Sequence, residues 1–250
     1  MESEVEEYVT LFCEGDGSVS LDGVGYPHVV FIQKEKDVLE YIGSVIGSGH
    51  LYGEEGGVHK LCFNGSYCLP LLEMFSRHVV SVHFLSRLNT LLSAFGLPLA
   101  SLHPLTWSGF VGFWDAEGSS GKHPSVAVYQ KDLDVLEQLR SMFGGGIYGR
   151  KATYREYIMY QWRIYGARAR SIVLGLSEES RCSSKVARLL QNFGVADYFQ
   201  ARNRDYYYSH KEERQEYNKD NWQKHREVQN YIDAHPEVVD KLREEGKLNA

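Results

Sequence analysis

Landmarks recur along this 250-residue chain in one order and at nearly one spacing, which obliges it to fold as two similar halves. Glu14-Gly15-Asp16-Gly17-Ser18 and Asp115-Ala116-Glu117-Gly118-Ser119 each close an apolar stretch that reads as a helix. Gln33 follows the apolar run Val29–Ile32, and Gln130, 97 residues later, follows Val126–Tyr129; Lys34 and Lys131 come next. Val38-Leu39-Glu40 matches Val135-Leu136-Glu137, and the glycine-rich pieces Gly47–Gly53 and Gly144–Gly149 match in turn. Asp16 and Glu117 share an offset of 101 with Gly65 and Gly166, so insertions and deletions between those landmarks cancel. A chance match would drift.

Periodicity within each half predicts a helix ending in the acid, two strands around a turn, a helix, two more strands and a final helix, the order αββαββα. The first turn is Asp22-Gly23-Val24-Gly25-Tyr26-Pro27, in which glycine supplies the backbone freedom and proline ends the reversal. Two of the six prolines fall between Phe95 and Pro104, just before the second motif helix, with Thr106 or Ser108 as its N-cap. The expected organisation is a first repeat over 1–97, a linker over 98–106, a second repeat over 107–200 and a helical extension over 201–250.

At 43% hydrophobic, the chain has the composition of a soluble globular protein, and no apolar run reaches membrane-spanning length. Three glutamates among the first six residues oppose a secretory signal, so an intracellular protein is expected. Cys13, Cys62, Cys68 and Cys182 lack metal-ligand spacing and read as buried thiols. Residues 1–100 hold 5 basic and 13 acidic side chains, whereas 101–200 hold 12 and 9. The basic residues of the second half interleave with aromatics around Arg150, Lys151, Arg155 and Arg163, a pattern shared by nucleic-acid surfaces and by solvated sheet faces.

One acidic turn alone would be a helix C-terminus facing water. Two of them, on helices packed together, place Asp16 and Glu117 beside two helix ends that already carry partial negative charge. Divalent cations relieve that repulsion, and the carbonyl oxygens of Gly15 and Ala116 would extend the oxygen-rich shell that magnesium prefers. Gly112 removes a side chain where the second helix must approach closely. Two other motifs fail on context. Gly144–Gly149 fits a dinucleotide-binding glycine pattern but follows a helix and enters a strand. The alternation from Asp16 to Asp22 lacks the glycine and glutamate of a calcium loop, having Leu21 and Pro27 there.

These segments resemble the two motifs of a single-chain LAGLIDADG homing endonuclease over roughly residues 5–195. The second motif matches well; in the first, Leu11 stands at the place of the packing glycine. The resemblance implies an α+β fold of two pseudo-two-fold αββαββα repeats, with two four-stranded antiparallel saddle sheets around the central motif helices. It further implies a monomeric nuclease that makes metal-dependent double-strand breaks at a long asymmetric DNA target, in intron or intein homing. Two or three Mg2+ ions, which Mn2+ or Ca2+ can replace in binding, would sit on Asp16 and Glu117. Glu14 and Asp115 would cap and bridge the paired helices, and Gln33 and Gln130 would order active-site water. His83 occupies the place of the family's lysine in the first repeat, with Arg181 or Lys185 as its second-repeat counterpart. Strand alternation puts Ser18, Ser20, Asp22, His28 and Val30 on one face, which the resemblance makes a candidate DNA surface. Tyr52 and Tyr148, matched within the glycine-rich pieces, join Arg150, Lys151, Arg155 and Arg163 as DNA contacts. Two other classes stay open: an intron maturase that binds RNA, and a DNA-binding regulator without chemistry.

Overall fold

The structure, a computed structural model, describes residues 2–53, 56–120, 124–151 and 158–194, and of residues 150 and 151 the backbone only. The first motif helix, α1 (Ser3–Asp16), has Glu4 and Glu6 in its first turn, where carboxylates meet the positive helix end, and buries Tyr8, Val9, Leu11, Phe12 and Cys13. It continues directly into β1 (Gly17–Leu21). Next come β2 (Pro27–Gln33), α2 (Lys36–Ile46), β3 (His50–Gly53), β4 (His59–Asn64), a 3-10 turn (Gly65–Cys68), α3 (Leu69–Ser76) and α4 (Val82–Ala94). The second half repeats the series as α5 (Trp107–Glu117), β5 (Gly118–Ser120), β6 (Ser125–Gln130), α6 (Leu133–Phe143), β7 (Gly146–Lys151), β8 (Ile158–Tyr165) and α7 (Ala167–Glu179), followed by a helix through 183–194, α8.

Two antiparallel four-stranded sheets result, ordered β1-β2-β4-β3 and β5-β6-β8-β7. The α+β duplication expected from the sequence is therefore present, with one addition. Two helices, not one, follow the fourth strand of each half. The chain breaks there because a motif-helix carboxylate takes the N–H groups of the intervening turn, as described below. Thr106 caps α5 by accepting from Gly109 N–H at 3.1 Å, which selects it over Ser108. No described helix is long and apolar enough to cross a membrane.

Register assigns the sheet faces, since cross-strand partners share a side. In the first sheet Val19, Val29, Phe31, Leu61 and Phe63 face inward and are buried; Phe31 meets Phe12, Phe63 and Phe75 at ring-centroid distances of 6.3, 6.0 and 6.5 Å. In the second, Val126, Val128, Trp162 and Ile164 do the same, and Trp162 packs with Phe110 and Phe143. Each such aromatic or aliphatic side chain contributes roughly 1.5–3 kcal/mol on burial. No disulfide joins the four cysteines; Cys13, Cys68 and Cys182 are buried and Cys62 is half-buried.

The two halves meet along α1 and α5. A Cβ added at Gly112 would lie 2.1 Å from the Tyr8 carbonyl oxygen, so the second helix rests on the backbone of the first at that point. At the mated position, Leu11 fills the space over Gly109, whose added Cβ would come within 3.2 Å of the leucine Cγ. Further along, Gly15 abuts Ala116, with 2.5 Å between an added Cβ and the alanine Cβ. This pairing brings Asp16 and Glu117 to the same end of the helix pair. The extension expected over 201–250 and Arg155 lie outside the described residues.

Candidate active site

Asp16 and Glu117 are the last residues of α1 and α5, and both are half-buried. Burial pushes the Asp16 carboxyl up to about 6, against the opposing pull of the Lys185 ammonium and the Gln33 amide. Glu117 rises to about 7, first through burial and then through the negative charge of Asp16, with Lys185 again opposing. The pair is thus coupled, as two acids brought together by one helix crossing must be. Gln33 lies between the halves: its Nε2 donates to Asp16 Oδ2 at 3.1 Å and to the Asp115 carbonyl at 3.3 Å, while its Oε1 accepts from Lys34 N–H. Gln130 makes the matching local bond, accepting from Lys131 N–H at 2.7 Å.

Of the basic residues suggested by sequence, Lys185 is the one whose charge acts on both acids. From α8 its Nζ donates to the carbonyls of Asp115 and Ala116, at 2.6 Å each, and lies 3.4 Å from that of Trp114. It satisfies the helix end that would otherwise expose bare oxygens. Arg181 instead stacks on the Tyr41 ring at 4.6 Å. His83 sits exposed in the first turn of α4, and among the described residues no hydrogen bond or ion pair joins it to either acid. The Ala116 carbonyl, expected among the metal ligands, accepts from Lys185 here.

Glu14 and Asp115, expected to cap and bridge the paired helices, each tie a motif helix to the turn ahead of a later helix. Glu14 accepts from the N–H groups of Val80 and Ser81 at 2.7 and 2.8 Å, tying α1 to the turn before α4. Burial nevertheless raises its carboxyl to about 7. Asp115, with no exposed surface, accepts from Arg181 N–H at 2.7 Å, from the Ser180 hydroxyl, and across the helix pair from Tyr8 Oη at 2.8 Å. Three donors are what a fully buried carboxylate needs; burial still outweighs them and holds its carboxyl above the ordinary value. Bridging is thus the work of Asp115 alone among these contacts.

The outward sheet faces collect most of the predicted DNA contacts. Ser18, Val30, Cys62 and His50 align across the first sheet; Ser20, His28 and Asn64 form a second row, and Ile32, Lys60 and Tyr52 a third. Asp22 is occupied in the hairpin turn, where its Oδ1 accepts from the N–H groups of Val24 and Tyr26 at 2.9 and 2.8 Å. On the second sheet Tyr129, Gln161 and Tyr148 form one row and Ala127, Arg163 and Gly146 another. Tyr52 and Tyr148 occupy equivalent places, 52% and 51% exposed. Arg163 has its guanidinium between the hydroxyls of Tyr165 and Tyr129, at 3.3 and 3.4 Å. Arg150 and Lys151 contribute backbone to β7. The acidic residues of the first hundred lie mainly on helices: Glu4, Glu6, Glu7, Glu14 and Asp16 on α1, Asp37 and Glu40 on α2, and Glu73 on α3.

Two four-stranded sheets joined through paired helices that end in acids have the fold of LAGLIDADG homing endonucleases. Solved structures that match it include the LAGLIDADG meganuclease I-AabMI bound to uncleaved DNA, with a TM-score of 0.55 and 16% identity over 79% of this chain and 92% of that one. I-SmaMI bound to an uncleaved DNA target in the presence of calcium ions matches with a TM-score of 0.54 and 14% identity, covering 79% and 92%. I-LtrWI bound to target DNA gives 0.57 and 12%, covering 79% and 91%. No protein-family model matches the sequence, and no curated protein does.

Proposed function

We propose that the protein is a site-specific DNA endonuclease of the intron- or intein-homing kind, acting as a monomer on a long asymmetric duplex with a divalent metal such as magnesium. The observation that carries this reading is the interacting pair Asp16 and Glu117 at the ends of the packed helices α1 and α5. The similar solved structures, which are bound to DNA, support it. Residues 1–97 and 107–200 would each read one half-site, joined through 98–106.

The donor set fits a hard cation. Among the described residues no three His, Cys, Asp or Glu side chains cluster as metal ligands, so Asp16 and Glu117 would hold an ion whose other ligands are backbone oxygen, water and phosphate. When bound, such ions polarise a scissile phosphate and acidify an attacking water. The chain's own part is narrower. Asp16 and Glu117 would bind as carboxylates, Gln33 orients Asp16 through its amide, and the Lys185 ammonium, held on the carbonyls at the end of α5, offsets the negative charge of both acids. Outward residues such as Tyr52, His28, Tyr148 and Arg163 would meet base edges and phosphates in the major groove.

A randomised duplex library incubated with the protein and magnesium, with the cut ends sequenced, tests the reading. The expected result is a single enriched asymmetric site cut in both strands. Cutting without magnesium, or no enriched site, would overturn it.

A further inference from the structure

Four buried side-chain polar atoms among the described residues have no hydrogen-bond partner, and two of them share the outward face of the second sheet: Gln161 Nε2 and Arg163 Nε, on alternate residues of β8. Arg163 keeps its other nitrogens on the hydroxyls of Tyr165 and Tyr129. Gln161, 7% exposed, leaves its amide nitrogen unpaired between Tyr129 and Tyr148, its neighbours across the strands. An unpaired buried amide costs stability, so its presence calls for an explanation. Tyr148 is exposed and lies over Gly146, where an added Cβ would come within 2.7 Å of its hydroxyl, so the ring flanking Gln161 has solvent to turn into. The offset of 101 carries Lys60 onto Gln161, and register agrees: Ile32, Lys60 and Tyr52 form in the first sheet the row that Tyr129, Gln161 and Tyr148 form in the second. The row keeps its tyrosine, while an ammonium that only donates stands opposite an amide that donates and accepts.

We propose that Gln161 is a specificity-determining residue that reads one adenine of the second half-site, its amide donating to the base N7 and accepting from the N6 amino group in the major groove. This rests on the DNA-recognition reading above. Adenine is the base whose major-groove edge sets an acceptor beside a donor, the complement of an amide; guanine offers two acceptors there, cytosine a donor and thymine an acceptor beside a methyl group. Against any base but adenine part of the amide stays unpaired, as it is in the free protein, so the discrimination draws on a cost already present in the fold. Lys60, at the equivalent place, suits guanine instead. The two half-sites therefore part company at base pairs that the pseudo-two-fold arrangement makes equivalent.

The test is a binding selection from a randomised duplex library, with calcium in place of magnesium, in which base preference is compared position by position between the unaltered protein and Gln161→Leu. One position should prefer A·T by about tenfold or more and lose that preference in the variant, with the other positions unchanged. Gln161→Lys, which copies Lys60, should turn the same position toward G·C. A second readout needs no DNA: Gln161→Leu removes an unpaired amide and no hydrogen bond, so the melting temperature of the free protein should hold or rise. Identical preferences in the unaltered protein and Gln161→Leu overturn the proposal. Weakening at every position alike, with a lower melting temperature, also overturns it, because that is the mark of a side chain that only supports the sheet. If the unaltered protein selects no sequence at all, the DNA-recognition reading fails and takes this inference with it.

Discussion

The two sides of the α1–α5 seam solve one packing problem in opposite ways. Where Tyr8 meets Gly112, the second helix gives up its side chain and rests on the backbone of the first. Where Leu11 meets Gly109, the mated pair, the first helix keeps a large side chain and the second again gives way. At these two contacts the yielding is done by α5, and only at Gly15 against Ala116 does α1 give way. The symmetry of the backbone is thus kept while the side-chain volume has moved to one side, and a residue in either half is fitted only against its mate in the other. The acid ends follow the same rule, with two clamps of like geometry and one lysine.

The sharpest way to break the comparison is at the acids. Asp16→Asn and Glu117→Gln should each abolish double-strand cleavage while leaving DNA affinity nearly intact; either variant cutting both strands normally in magnesium would remove that residue from the site. The seam comes next. Gly112→Leu should destabilise the fold by about 3 kcal/mol or more, because its Cβ would collide with backbone and not with a side chain that can swing away. Leu11→Gly should cost about 2–5 kcal/mol through the cavity it leaves. Combining it with Gly109→Leu should recover part of that loss if knob and hole are interchangeable between helices, and none if they are not. Denaturant unfolding of the four chains decides.

A smaller effect concerns pH. The folded-state carboxyl of Glu117 is raised to about 7, so in metal-free protein its charge opposes folding above that pH, and the penalty fades as pH falls through 7 toward the unfolded value. Glu117→Gln should therefore stabilise metal-free protein at pH 8 by on the order of 2 kcal/mol and hardly at all at pH 5. Equal melting shifts at both pH values would show that the acid is not buried beside Asp16. The smallest expected effects are on salt dependence. Arg163→Ala should weaken DNA binding more than Lys60→Ala, and that more than Lys34→Ala, with a loss of about one unit of salt slope for each phosphate contact removed. Equal losses would mean that the second sheet does not dominate phosphate contact.

The duplication was legible because backbone geometry imposes its landmarks. Gly65 and Gly166, matched by spacing alone, have φ of 61° and 62° with no atom near an added Cβ, so conformation alone demands glycine there. Asp16 and Glu117 were legible for a similar reason, since each closes an apolar helix just before a strand. Lys185 was legible only as an alternative to Arg181, because its partners are backbone carbonyls, which leave no mark in sequence. The turn-holding carboxylates of Glu14 and Asp115 hid likewise behind the N–H groups they bind. The Leu11–Gly109 fit did leave a signal: the 101-residue offset carries Tyr8 onto Gly109 and Leu11 onto Gly112, which shows both glycines on one helix.

That one-sided seam has a consequence for descent. A first half meeting its own copy would press two leucines into the crossing, and a second half meeting its own would leave glycine opposite glycine. A half that lost its sister would have to reshape the crossing before it paired with its own copy.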